Sequence, residues 1–357
     1  MQSVGTVMTR TTSPDDLRSL RCERRGALLW LTGCNPPVNA LAHSVRKALV
    51  EGIALGTSDD DVDAIVINCD GSTFFSGADL EELEGGIKPP GLLEFINACE
   101  ISRKPIIGAL HGTVFGGGVV VAYACDYRIA ANDTRFAMPE VALGLLPTFG
   151  GTQYLPRMLG IQGAMELIID GVQWSSERAL KEGLIDYIAK PEELNDRAAQ
   201  LAGVLKSKRR TRDQTRHRIP SVVSSRLYEM RREHLRQSSM GFDAPMVCLE
   251  AMENGLALPL EEALRKEHEA FLGLLQSAQS KRLRSLFLAE RKLRRSDFDR
   301  PKIEKALLAV GHSRAEIQQI AHHMIETRAV PNAQLLDALI VNLFNLPRHE
   351  PSWLDAI

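Results

Sequence analysis

Two glycine-bearing loops carry the residues that could do chemistry. One holds Gly116, Gly117 and Gly118 in FGGGVVVAYACD, and the other is SGAD at residues 76–79. Each follows an apolar segment and opens a predicted helix, where exposed backbone N–H groups attract negative charge. Two such loops could each donate one N–H to the same carbonyl oxygen, and each donor is worth about 10²- to 10³-fold in rate when that oxygen gains charge. The pattern therefore indicates enolate chemistry, and two tight turns without a catalytic role are the alternative.

A dinucleotide- or phosphate-binding role fits these glycines poorly. The segment GTVFGGG does not match GxGxxG, and the chain contains no GxxxxGK[ST] sequence. No acidic residue follows a second strand at the spacing of the dinucleotide-binding fold. The sequence thus disfavours a Rossmann domain.

The elements that must position the loops alternate between strand and helix. Apolar runs predict strands over residues 27–33 and 63–71, over the whole of KPIIGALHGTV, and over YRIAAND. Residues 41–55 predict an amphipathic helix ended by a glycine. From about residue 192 helical periodicity dominates, and the pattern of residues 301–357 predicts a helical tail. We expect an α/β core over residues 1–195, a helical region over 196–300 and a tail of unknown role.

The composition excludes several classes of function. The 357 residues are 44% hydrophobic and 25% charged, and the formal net charge of −2 gives no reason to expect nucleic acid as a partner. The basic run at residues 207–218 is either a solvated surface or a contact for phosphate groups. The six cysteines form no CxxC pair, which predicts neither disulfides nor zinc. We expect no membrane span and a cytoplasmic location, since no apolar run reaches about 18 residues and the N-terminal segment lacks a signal pattern.

Several long motifs follow one another in a recognisable order and spacing. They are FFSGADLEEL, KPIIGALHGTVFGGG, CDYRIAANDTRFAMPEVALGLLPTFGGTQYLPRMLG and LIIDGVQWSSERALKEGLIDYIA. Over about residues 20–190 the chain resembles the crotonase, or enoyl-CoA hydratase/isomerase, superfamily. Residues 244–292 are similar to the end of the hydratase/isomerase half of multifunctional β-oxidation enzymes, although the final 57 residues of the sequence, 301–357, are too short for a dehydrogenase half. The resemblance implies a spiral of ββα repeats followed by a helical region that covers the active site.

The resemblance also assigns roles to particular residues. The two oxyanion donors fall on the backbone N–H groups of Ala78 and Gly117. Of the two glutamates that hydratases of this family use, one falls on Glu140 in MPEVALG, whereas the position of the other holds Val120. Residues expected to contact or approach the substrate are Gly77, Gly116, Val120, His111 and Thr148.

One carboxylate is enough to move a proton, whereas hydration divides its work between two. We therefore expect Glu140 to act as a single base that isomerises a 3-enoyl-CoA to a 2-enoyl-CoA, and an apolar neighbour should raise its pKa. The alternatives are a hydratase that uses Glu140 with another group, a thioester hydrolase and a non-catalytic acyl-CoA binding protein. Thr148 weakens the hydrolase hypothesis, because family hydrolases carry an acid in that loop.

The expected partner is an acyl-CoA substrate, with no cofactor and no metal. The family's quaternary structures imply a trimer or hexamer, and the long helical segment at residues 259–295 makes a monomer or dimer the alternative. Polar residues expected to be structural include Asp79 at a helix start and Asp126 at a helix end. His322 and His323 are adjacent and lack metal-ligand spacing.

Overall fold

The computed structural model describes residues 19–205, 207–213, 221–239 and 241–295. The chain divides into two compact units, the first ending at Leu275 and the second beginning at Gln276. The predicted boundaries at 195 and 300 stay predictions, and the predicted tail at 301–357, with His322 and His323, lies outside the described residues. No helix within the described ranges is long and apolar enough to cross a membrane.

A six-stranded sheet of order β1-β2-β3-β4-β6-β9 forms the centre of the first unit. Its strands are β1 (Leu20–Arg25), β2 (Leu28–Gly33), β3 (Ala64–Cys69), β4 (Ile106–Leu110), β6 (Tyr127–Ala131) and β9 (Tyr187–Ala189). Only β1 runs antiparallel to its neighbour. Parallel strands need cover on both faces, which explains why β3, with the sequence AIVINC, is buried at every position.

A second sheet contains three short strands, β5 (Thr113–Phe115), β7 (Arg135–Ala137) and β8 (Trp174–Ser175), in the order β5-β7-β8. The prediction of one strand over KPIIGALHGTV is therefore wrong, because the segment turns at Gly112 and divides between the two sheets. Gly112 has φ +60°, and a side chain there would overlap the Ser72 carbonyl. This turn places β5, and the glycines that follow it, beside the loop after β3.

Helices cover both faces of the large sheet. Those of the first unit are α1 (His43–Ser58), α2 (Leu80–Gly85), α3 (Leu92–Ile101), α4 (Gly117–Ala124), α5 (Gly151–Ile168), α6 (Ser176–Glu182), α7 (Leu194–Val204), α8 (Ser221–Ser238), α9 (Ala244–Ala257) and α10 (Leu260–Gln276, whose last residue falls in the second unit). The second unit contributes α11 (Ala278–Arg295) to the described residues. Because strand side chains alternate between faces, Ile65 and Ile67 join the core on one face, while Val66 packs in a second cluster with Ala198 of α7.

The helix predicted over 41–55 forms, but it does not end at glycine. α1 continues to Ser58, and Gly56 lies inside it. A side-chain carbon at Gly56 would approach Ile65 Cδ1 to 2.7 Å. The glycine therefore serves close packing of α1 on the sheet instead of a helix stop.

Candidate active site

The two glycine loops meet in the folded chain. Gly77 has φ +106°, and a carbon added there would lie 3.2 Å from the Phe115 carbonyl oxygen and 3.6 Å from the Gly117 nitrogen. A carbon added to Gly118 would overlap the Phe75 carbonyl. Side chains at either position would force the loops apart, so the glycines allow backbone to approach backbone.

The two predicted oxyanion donors, the backbone N–H groups of Ala78 and Gly117, donate no hydrogen bond to another described residue. Gly117 begins α4, where the first N–H groups have no partner inside the helix. Ala78 bridges to Leu41, but there the Leu41 N–H donates to the Gly77 carbonyl at 2.9 Å. Within the described ranges, no hydrogen bond involves the N–H of Ala78 or that of Gly117. Since Ala78 is exposed and Gly117 half-buried, a ligand oxygen could reach the two loops.

Glu140 reaches the same place from a different element. It lies in the 3₁₀ helix Pro139–Leu143, which follows β7, and the Gly116 N–H donates to the Ala137 carbonyl at 2.9 Å. A carbon added to Gly116 would lie 2.8 Å from Glu140 Oε1. The absence of a side chain at Gly116 thus makes room for this carboxylate beside the start of α4.

The Glu140 carboxylate is held in an apolar environment. Its Oε2 atom is out of contact with solvent and has no hydrogen-bond partner among the described residues. Burial raises the pKa of Glu140 to about 7, with its own backbone N–H opposing the shift. A carboxyl group that titrates near neutrality can both take up and return a proton at physiological pH.

Val120 lies one helical turn after Gly116 and is 2% exposed. Its N–H donates to the Gly116 carbonyl at 3.3 Å, and its side chain is apolar. Its immediate neighbours Val119 and Val121 are also buried. The two glycines that begin α4 are therefore followed directly by three buried apolar residues.

The remaining predicted contact residues lie in different surroundings. Thr148 is buried just before α5, and its Oγ1 has no hydrogen-bond partner among the residues described. His111 Nε2 lies 3.1 Å from the Gly71 carbonyl oxygen, and burial lowers the pKa of this histidine. This hydrogen bond directs the ring to the turn after β3, so the role of His111 in substrate binding stays a prediction.

Residues expected from the sequence to be structural make structural contacts. The Asp79 carboxylate accepts the Glu81 N–H at 3.0 Å at the start of α2. Asp126 accepts the Ile106 N–H at 2.8 Å and binds the Lys208 ammonium at 2.6 Å. Lys208 belongs to the basic run at 207–218, and its charge is compensated inside the protein.

Sequence reasoning missed Glu267, a second buried glutamate. It belongs to α10 and accepts three hydrogen bonds at the start of α5, from the N–H groups of Gly150 and Thr152 and from the Thr152 hydroxyl. A signal was present: Glu267 falls on the apolar stripe of α10, at helical spacing from Ala263 and Phe271. A charged residue on such a stripe needs a partner.

The chain is similar in sequence to known proteins. The family model described as enoyl-CoA hydratase/isomerase matches residues 23–240. A peroxisomal bifunctional enzyme of Danio rerio is 36% identical over 75% of this chain and 37% of its own length. A glyoxysomal fatty acid beta-oxidation multifunctional protein of Cucumis sativus is 32% identical over 73% of this chain and 38% of its own length. This chain thus spans little more than a third of either relative.

Solved structures share the fold. An enoyl-CoA hydratase/isomerase from Pseudoalteromonas atlantica T6c superposes with a TM-score of 0.57 at 23% identity, covering 76% of this chain and 96% of that one. At that identity the likeness concerns the fold alone. It confirms the predicted crotonase spiral followed by C-terminal helices.

Proposed function

Because the chain belongs to the enoyl-CoA hydratase/isomerase family, we propose that it binds an enoyl-CoA thioester between two backbone amides and moves the double bond with one glutamate. Family membership confirms the resemblance predicted from the sequence motifs, and the chain is an enzyme of that family. The reaction, its substrate and the residue roles that follow are proposals. They apply to a step of fatty-acid β-oxidation, the process that the glyoxysomal relative's name states for that protein.

The observation that carries the proposal is the setting of Glu140. Its carboxylate lies against Gly116, the residue that precedes Gly117 in the chain, and Val120 is buried in the first turn of α4. Removing a proton beside a thioester carbonyl needs one base and a site for the resulting negative charge. The Glu140 carboxylate is the proposed base, and the backbone N–H groups of Ala78 and Gly117 form the proposed site for the negative charge.

The proposed reaction has two proton transfers. Ionised Glu140 removes a proton from C2 of a 3-enoyl thioester, and the electron pair passes onto the carbonyl oxygen, which the N–H groups of Ala78 and Gly117 stabilise. In the second step the oxygen's electron pair restores the carbonyl, the C1–C2 double bond of the enolate shifts to C2–C3, and the C3–C4 electron pair takes the proton back from Glu140 at C4. The substrate and product are isomers, so the reaction consumes no water and needs no electron acceptor. We accordingly assign no cofactor, and coenzyme A enters as part of the substrate.

Hydration would need a second acid–base group to activate water. Val120 cannot supply one, which is why isomerisation is the preferred assignment. Thioester hydrolysis would release free coenzyme A, and binding without turnover would leave the substrate unchanged. Isomerisation, hydration, hydrolysis and binding alone therefore differ in their products, so one assay separates them.

The test compares wild type with Glu140→Gln and with Glu192→Gln, an exposed glutamate of the 3₁₀ helix Pro191–Glu193. Each protein is incubated with 3-enoyl-CoA and 2-enoyl-CoA of two chain lengths, and initial rates are measured. Loss of a general base predicts a fall in kcat of at least about 10²-fold for Glu140→Gln, with acyl-CoA affinity nearly unchanged. Glu192→Gln should match wild type. Full activity of Glu140→Gln would remove this residue from its role.

Location and assembly also stay predictions. The sequence predicts a cytoplasmic location, whereas the names of the relatives place those proteins in peroxisomes and glyoxysomes. A trimer or hexamer is expected in solution, with a monomer or dimer as the alternative. Light scattering at two protein concentrations distinguishes these states.

A further inference from the structure

Glu267 is a charged residue on the apolar face of α10. It is 1% exposed, and Phe271 of the same stripe is also buried. Burial raises the pKa of Glu267 to about 7, while the hydrogen bonds from Thr152 and Gly150 oppose that shift. An unpartnered carboxylate in this position would be strongly unfavourable, so the chain keeps it only together with its donors.

The donors all belong to the start of α5. Glu267 Oε1 accepts the Gly150 N–H at 2.6 Å, and Oε2 accepts the Thr152 N–H at 2.9 Å and the Thr152 hydroxyl at 2.5 Å. These are N–H groups that a helix start leaves without internal partners, and the helix dipole favours an anion there. Both carboxylate oxygens are thus occupied, and α10 is fixed to the segment that precedes α5.

That segment begins at Glu140. The Glu140 carbonyl accepts the Leu145 N–H at 3.0 Å and also the N–H of Gly144, which closes the 3₁₀ helix with φ +65°. Residues 144–150 then lead directly to the Glu267 contacts. One end of the segment is therefore fixed at the proposed base, and the other at α10.

A third contact joins the end of the segment, at the residue before Gly150, to α4. The Tyr123 hydroxyl donates to the Phe149 carbonyl at 2.7 Å. Phe149 has φ +60°, a conformation that a residue with a side chain keeps only where its surroundings fix it. Tyr123 belongs to the helix that begins with the Gly117 amide, so the segment links the proposed base to the proposed oxyanion site.

We propose that Glu267 is a positioning residue: its carboxylate holds residues 144–150 against α4 and so sets where Glu140 lies relative to the Gly117 amide. This inference rests on the proposed role of Glu140 as the base. Glu267 acts without touching the reacting atoms. Its effect on the rate comes from alignment, and a displacement of about 1 Å in a catalytic group can cost about 10²-fold.

The experiment compares Glu267→Gln with Glu269→Gln, two residues along α10. Glu269 is exposed and pairs with Arg265. Glu269→Gln therefore also removes one carboxylate from α10, but at a position that does not contact residues 150–152. Assays run well below the unfolding midpoint of each variant. Glu267→Gln should lower kcat at least about 10-fold while KM changes less than about 3-fold, in line with misalignment of a bound substrate's base. Glu269→Gln should leave both constants unchanged.

A purely structural role predicts a different result. Glu267→Gln would then unfold at a lower temperature but keep the wild-type kcat when folded, and this outcome would overturn the inference. If Glu267→Gln does not fold, Thr152→Val replaces it, because this variant removes one donor and leaves the carboxylate. A kcat of Thr152→Val equal to wild type would likewise overturn the inference, and a fall of about 3-fold or more would support it.

Glu140→Gln in the same assay separates the two proposals. If Glu140→Gln keeps full turnover, the proposed function fails whatever Glu267→Gln does. If Glu140→Gln loses turnover while Glu267→Gln keeps it, only the positioning role fails. Losses in both variants support both proposals.

Discussion

Replacing Gly116 by alanine tests the geometry of the site through a single carbon. The added Cβ would lie 2.8 Å from Glu140 Oε1, whereas ordinary contacts begin at 3.4 Å, so the carboxylate or the loop must move by about 0.6 Å. Because about 1 Å of misplacement can cost about 10²-fold, we expect kcat/KM to fall about 10- to 100-fold. Gly116 also has φ +51° and ψ −118°, which should cost an alanine about 1–3 kcal/mol of stability.

Gly26→Ala is the matched control for backbone strain. Gly26 has φ +62° between β1 and β2, and nothing lies within 4 Å of its added carbon. Both variants are assayed for turnover of a 3-enoyl-CoA and for thermal unfolding. Gly26→Ala should lose stability and keep its rate, whereas Gly116→Ala should lose both. A folded Gly116→Ala with the wild-type rate would refute the argument that this glycine makes room for the base.

Four further predictions concern Glu140, Val120 and Asp126. Because the base must be ionised and the pKa of Glu140 is raised to about 7, kcat/KM measured against pH should fall about tenfold per pH unit below 7. The raised pKa of Glu140 also affects stability: its contribution to the folded state is fully present below the unfolded pKa near 4.5 and is lost as pH rises through 7, where the buried carboxylate must be charged. Glu140→Gln removes that charge, so it should raise the free energy of unfolding by about 1–3 kcal/mol at pH 8 and not at pH 4. Val120→Glu, if it folds, should introduce hydration of a 2-enoyl-CoA, seen as a mass gain of one water; a folded variant that binds acyl-CoA without that gain would contradict the interpretation of Val120. Asp126→Ala leaves the Lys208 ammonium unpaired and should lower stability in urea by about 3–5 kcal/mol, with the rate per folded molecule unchanged.

The sequence predicted those parts of the fold that local patterns encode. The buried run of β3 and the glycine-led start of α4 are continuous signals in the chain. β1 was missed because five of its six residues are exposed and four of these are charged. Its hydrogen bonds come from β2, a pairing that no local pattern reveals. The division of β4 from β5 depends on the close approach of Gly112 to Ser72, a contact between distant parts of the chain.

The site divides in the same way. Glu140, Ala78 and Gly117 were predicted from motifs, and the described structure brings their loops and the carboxylate together. Glu267 was not predicted, because its partners at Gly150 and Thr152 lie more than a hundred residues away. Its place on an apolar stripe indicated that a partner exists but not which one.

The most direct test of the single-base account is the product that wild-type protein forms from each of two substrates. 3-Enoyl-CoA and 2-enoyl-CoA are incubated separately, and the products are resolved by chromatography and mass. The account predicts that 3-enoyl-CoA becomes 2-enoyl-CoA at unchanged mass and that 2-enoyl-CoA gains no water. A gain of water by 2-enoyl-CoA would contradict it, because a second catalytic group would then have to act beside Glu140.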